Sequence, residues 1–142
     1  MPRIYNSIVV GAPVDKVWGR IRDFYDLSWA PTLVESCVAV GDDPPTTVGT
    51  KRLINDAFLD RLITFSDKEY RVVYEMEDGP SPMSPAEISN YAGDLRLYPI
   101  TNEAKTFAGW TASWDSTSTD GVDFMNEIYA SLLKDLAAEF NK

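Results

Sequence analysis

The chain has 142 residues, 44% hydrophobic and 25% charged, with 22 acidic against 13 basic side chains and a formal net charge of −9. That is the size and usage of one globular domain with a real core, not of a disordered chain. The acidic balance and the lack of any Lys/Arg-rich block argue against nucleic acid and anionic membranes as partners, and the absence of histidine removes His-based triads, His-ligated zinc and the usual near-neutral general base.

Met1-Pro2-Arg3 runs straight into a strand, Ile4 to Val10, rather than into a signal-peptide apolar core, and Gly11-Ala12-Pro13 ends that strand. Pro13 suits the first turn of a helix, and Val14, Val17, Trp18 and Ile21 follow at helical spacing. A second short helical turn is expected over Asp26 to Ala30, carrying Leu27 and Trp29, before Pro31 interrupts it. The pattern then changes to strands parted by turn residues: Val34 to Val40, Val48 to Ile54, Phe58 to Phe65 and Tyr70 to Glu77. Gly79 to Pro85 holds three prolines and is expected to be a rim loop over a cavity mouth that shifts on ligand binding. Two further strands, Ile88 to Leu97 and Thr106 to Trp114, lead to a terminal helix from Asp120 to Phe140 with an apolar stripe at Met125, Ile128, Tyr129, Leu132, Leu133, Leu136, Ala137 and Phe140. The only cysteine, Cys37, has no internal partner, which suits a reducing cytoplasm, and no stretch approaches the length of a transmembrane helix.

Seven strands and one long helix make an α+β design in which a curved antiparallel sheet must bend around the helix. Alternation along the strands puts Phe58, Asp60, Leu62 and Thr64, then Val72, Tyr74 and Met76, then Tyr91, Gly93, Leu95 and Leu97, and finally Trp110, Ala112 and Trp114 on one face. Such a face is apolar and aromatic with a few polar heads, either a filled core or the lining of a ligand pocket.

The order of Ala12-Pro13-x-x-x-Val17-Trp18, Phe24-x-x-Leu27-x-Trp29, Val48-Gly49-x-x-Arg52 and Asp60-Arg61-Leu62-x-x-x-x-Asp67, continuing through Tyr74, Asn90-Tyr91, Trp110 and the terminal helix, resembles the START/Bet v-type (SRPBCC) superfamily, and within it the polyketide cyclase/dehydrase-like group. The resemblance implies a helix-grip fold, seven strands wrapped around the C-terminal helix with two short helices after strand one, and an internal cavity for a small hydrophobic molecule. It also implies no metal and no cofactor, and a monomer or weak homodimer. Abscisic acid receptors of the superfamily carry a Gly-Leu-Pro-Ala gate where this chain has the short Asn55-Asp56-Ala57, so that latch mechanism is not expected here. Lachrymatory factor synthase, an isomerase of the same fold, uses an arginine in the Gly-x-x-Arg position and a glutamate one strand later. The matching positions are Arg52 and Asp60, the aspartate being one methylene shorter.

Arg52 and Asp60 lie on adjacent strands joined by a tight turn, close enough to pair. They are either a buried salt bridge that fixes register or a polar anchor, Arg52 for a ligand oxygen and an ionised Asp60 to orient the ligand or move a proton. The expected catalytic set is Arg52, Asp60 and Tyr91, and the expected ligand contacts are Trp29, Phe58, Leu62, Tyr74, Met76, Met83, Leu95, Trp110, Met125 and Tyr129. The expected function is to bind a polyketide-like or other carbonyl-bearing metabolite and promote its cyclisation, dehydration or isomerisation. The alternative is a non-catalytic carrier or sensor of a hydrophobic molecule.

Overall fold

The protein is described by a computed structural model over residues 1–141. Strand β1 (Arg3–Val10) is followed by helix α1 (Val14–Ile21), the strands β2 (Cys37–Val40), β3 (Lys51–Ile54), β4 (Phe58–Ser66), β5 (Arg71–Asp78), β6 (Ser89–Pro99) and β7 (Thr106–Asp115), and helix α2 (Asp120–Glu139). The strands form one antiparallel sheet of order β1-β7-β6-β5-β4-β3-β2. Strands β2 to β7 therefore run as a meander, and β1 closes beside β7, so that the seven-stranded sheet and long C-terminal helix make the helix-grip arrangement.

Strict alternation drives the inner face. β7 reads buried at every second residue from Thr106 to Trp114, and β6 does the same from Tyr91 to Leu97. Cross-strand pairing lines these residues into rows, one of them running Leu62, Tyr74, Gly93, Ala112 and Ile4 across five strands. Register shifts at Leu59/Asp60 and Leu62/Thr64 in β4, and at Ser89/Ala92 in β6, add the local bends that curve a sheet around a helix. Helix α2 sits against β1, where Asn6 Nδ2 donates to Asn126 Oδ1 at 2.8 Å. Its buried stripe is Gly121, Met125, Tyr129, Leu132, Leu133 and Leu136.

One short helix follows β1, not two. Over Asp26 to Ala30 the chain forms turns, because the Asp23 and Asp26 side chains accept the backbone N–H groups of Tyr25 and Ser28, each at 2.9 Å. Aspartate offering such a local bond competes with the helical ladder, and Pro31 prevents its continuation. The segment is nonetheless core, with Leu27, Trp29 and Ala30 all buried. Strand β2 begins at Cys37 rather than Val34, and β3 at Lys51 rather than Val48, where Gly49 at φ 97° turns the chain.

The proline-rich segment is also different from a loose rim loop. Met83 within it is only 1% exposed and lies against Gly121, where a Cβ would collide with its sulfur. Ser81 and Ser84 hydroxyls both donate to Glu87, so the segment is plugged into the fold and held from outside.

Leu136 of α2 is fully buried, and Leu136→Ala is expected to cost about 2–5 kcal/mol in a denaturant titration. A loss below about 1 kcal/mol would mean that the helix does not carry the core.

Candidate functional site

Toward the N-terminal half of α2 the inner face is not filled. A pocket of about 320 Å³ opens there, lined from the loop after α1 by Leu27, Leu33 and Val34, from the sheet by Arg52, Ile54, Asn55, Phe58, Asp60, Tyr74, Met76, Tyr91 and Trp110, by Pro80, and from α2 by Phe124, Met125, Ile128, Tyr129 and Leu132. Toward the other end of the sheet the space is closed by Leu97, Leu133 and Leu136, all at most 2% exposed.

Of the residues expected at such a site, Arg52, Asp60, Tyr91, Phe58, Tyr74, Met76, Trp110, Met125 and Tyr129 all reach the pocket wall. Trp29, Leu62, Met83 and Leu95 are not in the lining. Each is at most 5% exposed and is packed into the core, Trp29 with its ring 6.5 Å from that of Trp110. The residues that the sequence reading did not single out are Leu27, Leu33, Val34, Ile54, Asn55, Pro80 and Phe124. Asn55 bears the one local signal among them. With Asp56 it forms the two central residues of the turn in the three-residue connection between β3 and β4, both at φ 54°, a conformation that Asn and Asp tolerate. Its side chain then accepts from the backbone N–H of Glu35 at 2.7 Å and donates to the carbonyl of Leu33 at 2.8 Å, tying the Leu33–Ser36 stretch to the hairpin at the pocket rim.

The charged corner of the pocket is Arg52 with Asp60. They are direct cross-strand partners, 6% and 3% exposed. Arg52 Nε and Nη2 both reach Asp60 Oδ2 at 3.2 Å, and Nη1 donates to the carbonyl of Phe24 at 3.0 Å. The guanidinium lies over the Phe24 ring at 4.0 Å and 5.1 Å from the centre of the Tyr74 ring, so aromatic faces replace part of its lost hydration. Asp60 Oδ1 accepts no hydrogen bond among the described residues. Burial raises the Asp60 carboxyl above its ordinary value, outweighing the opposing pull of the Arg52 charge and hydrogen bond. The neighbouring cation favours ionisation, as expected, but the cost of desolvating the anion is the larger effect.

The second polar cluster is a chain of hydroxyls. Trp110 Nε1 donates to Tyr74 Oη at 3.0 Å, Tyr74 Oη is 2.6 Å from Tyr129 Oη, and Tyr129 Oη is hydrogen-bonded to Tyr91 Oη. Gly93 makes this possible, because a Cβ there would occupy the space of the Tyr74 phenol. All three phenols are raised well above the ordinary tyrosine value, chiefly by burial and then by one another, so they remain neutral donors rather than phenolate bases. Cys37 is pushed up by burial as well, which leaves it a poor nucleophile. No cluster of three metal-ligating side chains occurs among the described residues, and no helix among them is long and apolar enough to cross a membrane.

The family described as "Polyketide cyclase / dehydrase and lipid transport" matches residues 1–141. A protein of known structure from Nitrosospira multiformis is 55% identical, with a TM-score of 0.96 over 98% of this chain and 96% of its own. The protein XoxI from Bacillus cereus, 20% identical, superposes with a TM-score of 0.81 over 100% of this chain and 97% of its own. A protein from Thermobifida fusca, 24% identical, does so at 0.82 over 99% and 94%. No curated protein matches the sequence.

The raised Asp60 value carries a sign. A carboxyl favoured in its neutral form by the fold contributes stability that is full below its unfolded value, near 3.8, and is lost as pH rises through the raised folded value. Above pH 3.8 the wild type is thus expected to lose stability relative to Asp60→Asn as pH increases, and the Asp60 carboxyl carbon is expected to titrate above 3.8 by NMR. A titration below 3.8 would show that the Arg52 charge, not burial, dominates.

Proposed function

Because the chain belongs to the polyketide cyclase/dehydrase and lipid transport family, we propose that it binds a small, mainly apolar, carbonyl-bearing metabolite of polyketide-like character in this pocket and promotes its cyclisation, dehydration or isomerisation. The observation that carries the proposal is the buried Arg52–Asp60 pair at the wall of an otherwise largely apolar pocket. A carrier would be served by apolar walls and one anchor. Here a cation and a carboxyl raised by burial meet in one corner, as acid–base work needs.

The pocket first confines the ligand, which removes much of the entropic barrier to ring closure or double-bond migration. Asp60 Oδ1 takes a proton from the carbon next to a carbonyl. The electron pair of that C–H bond moves into a C=C bond, and the carbonyl oxygen becomes an enolate oxygen. Arg52 commits its Nε–H to Asp60 and one Nη1–H to Phe24, with Nη2 in ion-pair contact with Asp60, and its remaining N–H groups stabilise that oxygen as its charge develops. The protonated Asp60 then returns the proton to a different carbon in isomerisation, or to a departing hydroxyl in dehydration, so nothing is consumed. The raised Asp60 value helps here, because a carboxylate with costly solvation is a stronger base than one in water. A reducing cytoplasmic setting goes with this proposal; Cys37 is a free cysteine.

The carrier reading has one observation in its favour, the apolar character of the remaining lining, and enolisation separates the two. Exchange of the α-protons of 2-tetralone in D2O, followed by NMR, is expected to be faster with the protein. Asp60→Asn should slow it by about 10²–10⁴, with affinity less affected, and Arg52→Met should abolish it in a folded protein. A bound ketone whose exchange stays at the buffer rate would make the protein a carrier.

A further inference from the structure

The hydroxyl chain in the pocket wall contains more protons than the protein can use. Tyr74, Tyr129 and Tyr91 bring one hydroxyl proton each, and there are two hydroxyl–hydroxyl contacts among them, Tyr74 with Tyr129 and Tyr129 with Tyr91. One contact uses one proton. One phenolic proton is therefore left without an acceptor among the described residues, and all three phenols line the pocket.

Either hydroxyl of each pair can donate, and Trp110 favours one order. Its indole nitrogen is a donor only, and it points at Tyr74 Oη. In that order Tyr74, having accepted, gives its own proton to Tyr129. Tyr129, having accepted, gives its proton to Tyr91. Each hydroxyl accepts once and donates once, the arrangement in which successive bonds polarise and strengthen one another. The surplus proton ends on Tyr91. A buried hydroxyl proton without a partner is costly, and burial keeps every phenol of the chain neutral, so the proton stays in place as a donor.

We propose that Tyr91 is a second oxygen-reading point of the pocket, separate from Arg52, and that the ligand therefore carries two acceptor oxygens: one that becomes negative at the Arg52 guanidinium, and one neutral carbonyl at the end of the tyrosine chain. The ligand class is a dicarbonyl or an equivalent two-oxygen compound on an apolar frame, rather than a hydrocarbon or a simple monoketone. This rests on the pocket being the ligand site proposed above. Tyr91 touches the ligand; Trp110, Tyr74 and Tyr129 are positioning residues that set the direction of its proton.

A pair of naphthalenes tests it. 6-Propionyl-2-dimethylaminonaphthalene fluoresces at longer wavelength when its carbonyl accepts a hydrogen bond, and the 6-propyl analogue lacks the oxygen. In the wild type the ketone is expected to emit as a hydrogen-bonded carbonyl. In Tyr91→Phe the proton that Tyr129 no longer gives away points at the vacated oxygen position, short of the ligand. The emission should then move to the blue, and the ratio of ketone to propyl affinity should fall about tenfold. In Tyr5→Phe, in the groove on the other face of the sheet, that ratio should hold. Emission and ratio left unchanged by Tyr91→Phe would mean that no second oxygen is read there, overturning this inference and leaving the ligand site intact. Should Tyr91→Phe not fold, hydrocarbon-like emission from the wild-type complex overturns it by itself. Failure of both naphthalenes to bind would remove the pocket as a ligand site, and this inference with it.

Discussion

Arg52 brings a permanent charge into an interior where Asp60 is the only buried carboxylate among the described residues. Removing two such charges from water costs several kcal/mol for each ion, and their attraction offsets that only when geometry and further hydrogen bonds are good. Much of the local structure follows from this requirement. The tight turn at Asn55-Asp56 sets the β3–β4 register that makes Arg52 and Asp60 direct partners. The loop after α1 must bring the Phe24 carbonyl to Nη1 and the Phe24 ring beneath the guanidinium. Tyr74 covers part of the other exposure of the charge. A pair placed only to fix register would not need to face an open pocket, and this one does.

The pocket exists because the two ends of the inner face are filled differently. Leu133 and Leu136 of α2 pack the end away from it, whereas Phe124, Met125, Ile128 and Tyr129 leave space above β3 to β6. Two opposite devices give the walls their chemistry. In the charged corner, permanent charge is tolerated by pairing. Along the tyrosine chain, charge is excluded, and polarity is kept only as neutral hydroxyls bonded to one another. Such a surface can hold an apolar body while distinguishing a developing anion from a neutral carbonyl. Close packing supports it from behind: Trp110 stacks on Tyr129 at 4.6 Å and Tyr91 on Trp114 at 5.6 Å, which limits the freedom of the phenols.

Most of the strands and their inward faces were legible in the sequence because a period of two leaves little choice once one residue of a strand is known to be buried; in β4 the shift after Leu62 puts Phe65, not Thr64, beside the inward Val72. Arg52 with Asp60 was legible for the same reason, through the short turn between their strands. Alternation gives the face of a residue but not its depth. Leu62 and Leu95 share a face with Tyr74 and Trp110 yet lie in the filled core. Phe124 precedes the apolar stripe read for α2, and Leu33 and Val34 reach the rim only because Asn55 ties their segment to the hairpin. Composition misled at two places. Aspartates at 23 and 26 turned an expected helical turn into side-chain-capped turns, and a proline-rich stretch that reads as a movable rim loop carries Met83, one of the most buried side chains. For Asp60 the sequence shows the cation that favours ionisation but not the loss of water that opposes it.

The fold is shared with solved structures of only 19–24% identity, so the chemistry must be sought in this corner rather than in the architecture. A second concavity exists on the opposite face of the sheet, where Tyr5, Arg71, Asp94, Arg96, Tyr98 and Phe107 line a groove, and it offers a direct contrast. The most direct measurement is an NMR titration of the labelled protein with an apolar diketone, reading the Arg52 side-chain Nε–H together with the backbone amides. Shifts concentrated on Arg52 Nε–H, Asp60, Tyr91 and the first half of α2 are the expected result. Shifts confined to the groove around Tyr5 and Arg96, with the Arg52 resonance unmoved, would contradict the assignment of the pocket as the site of function.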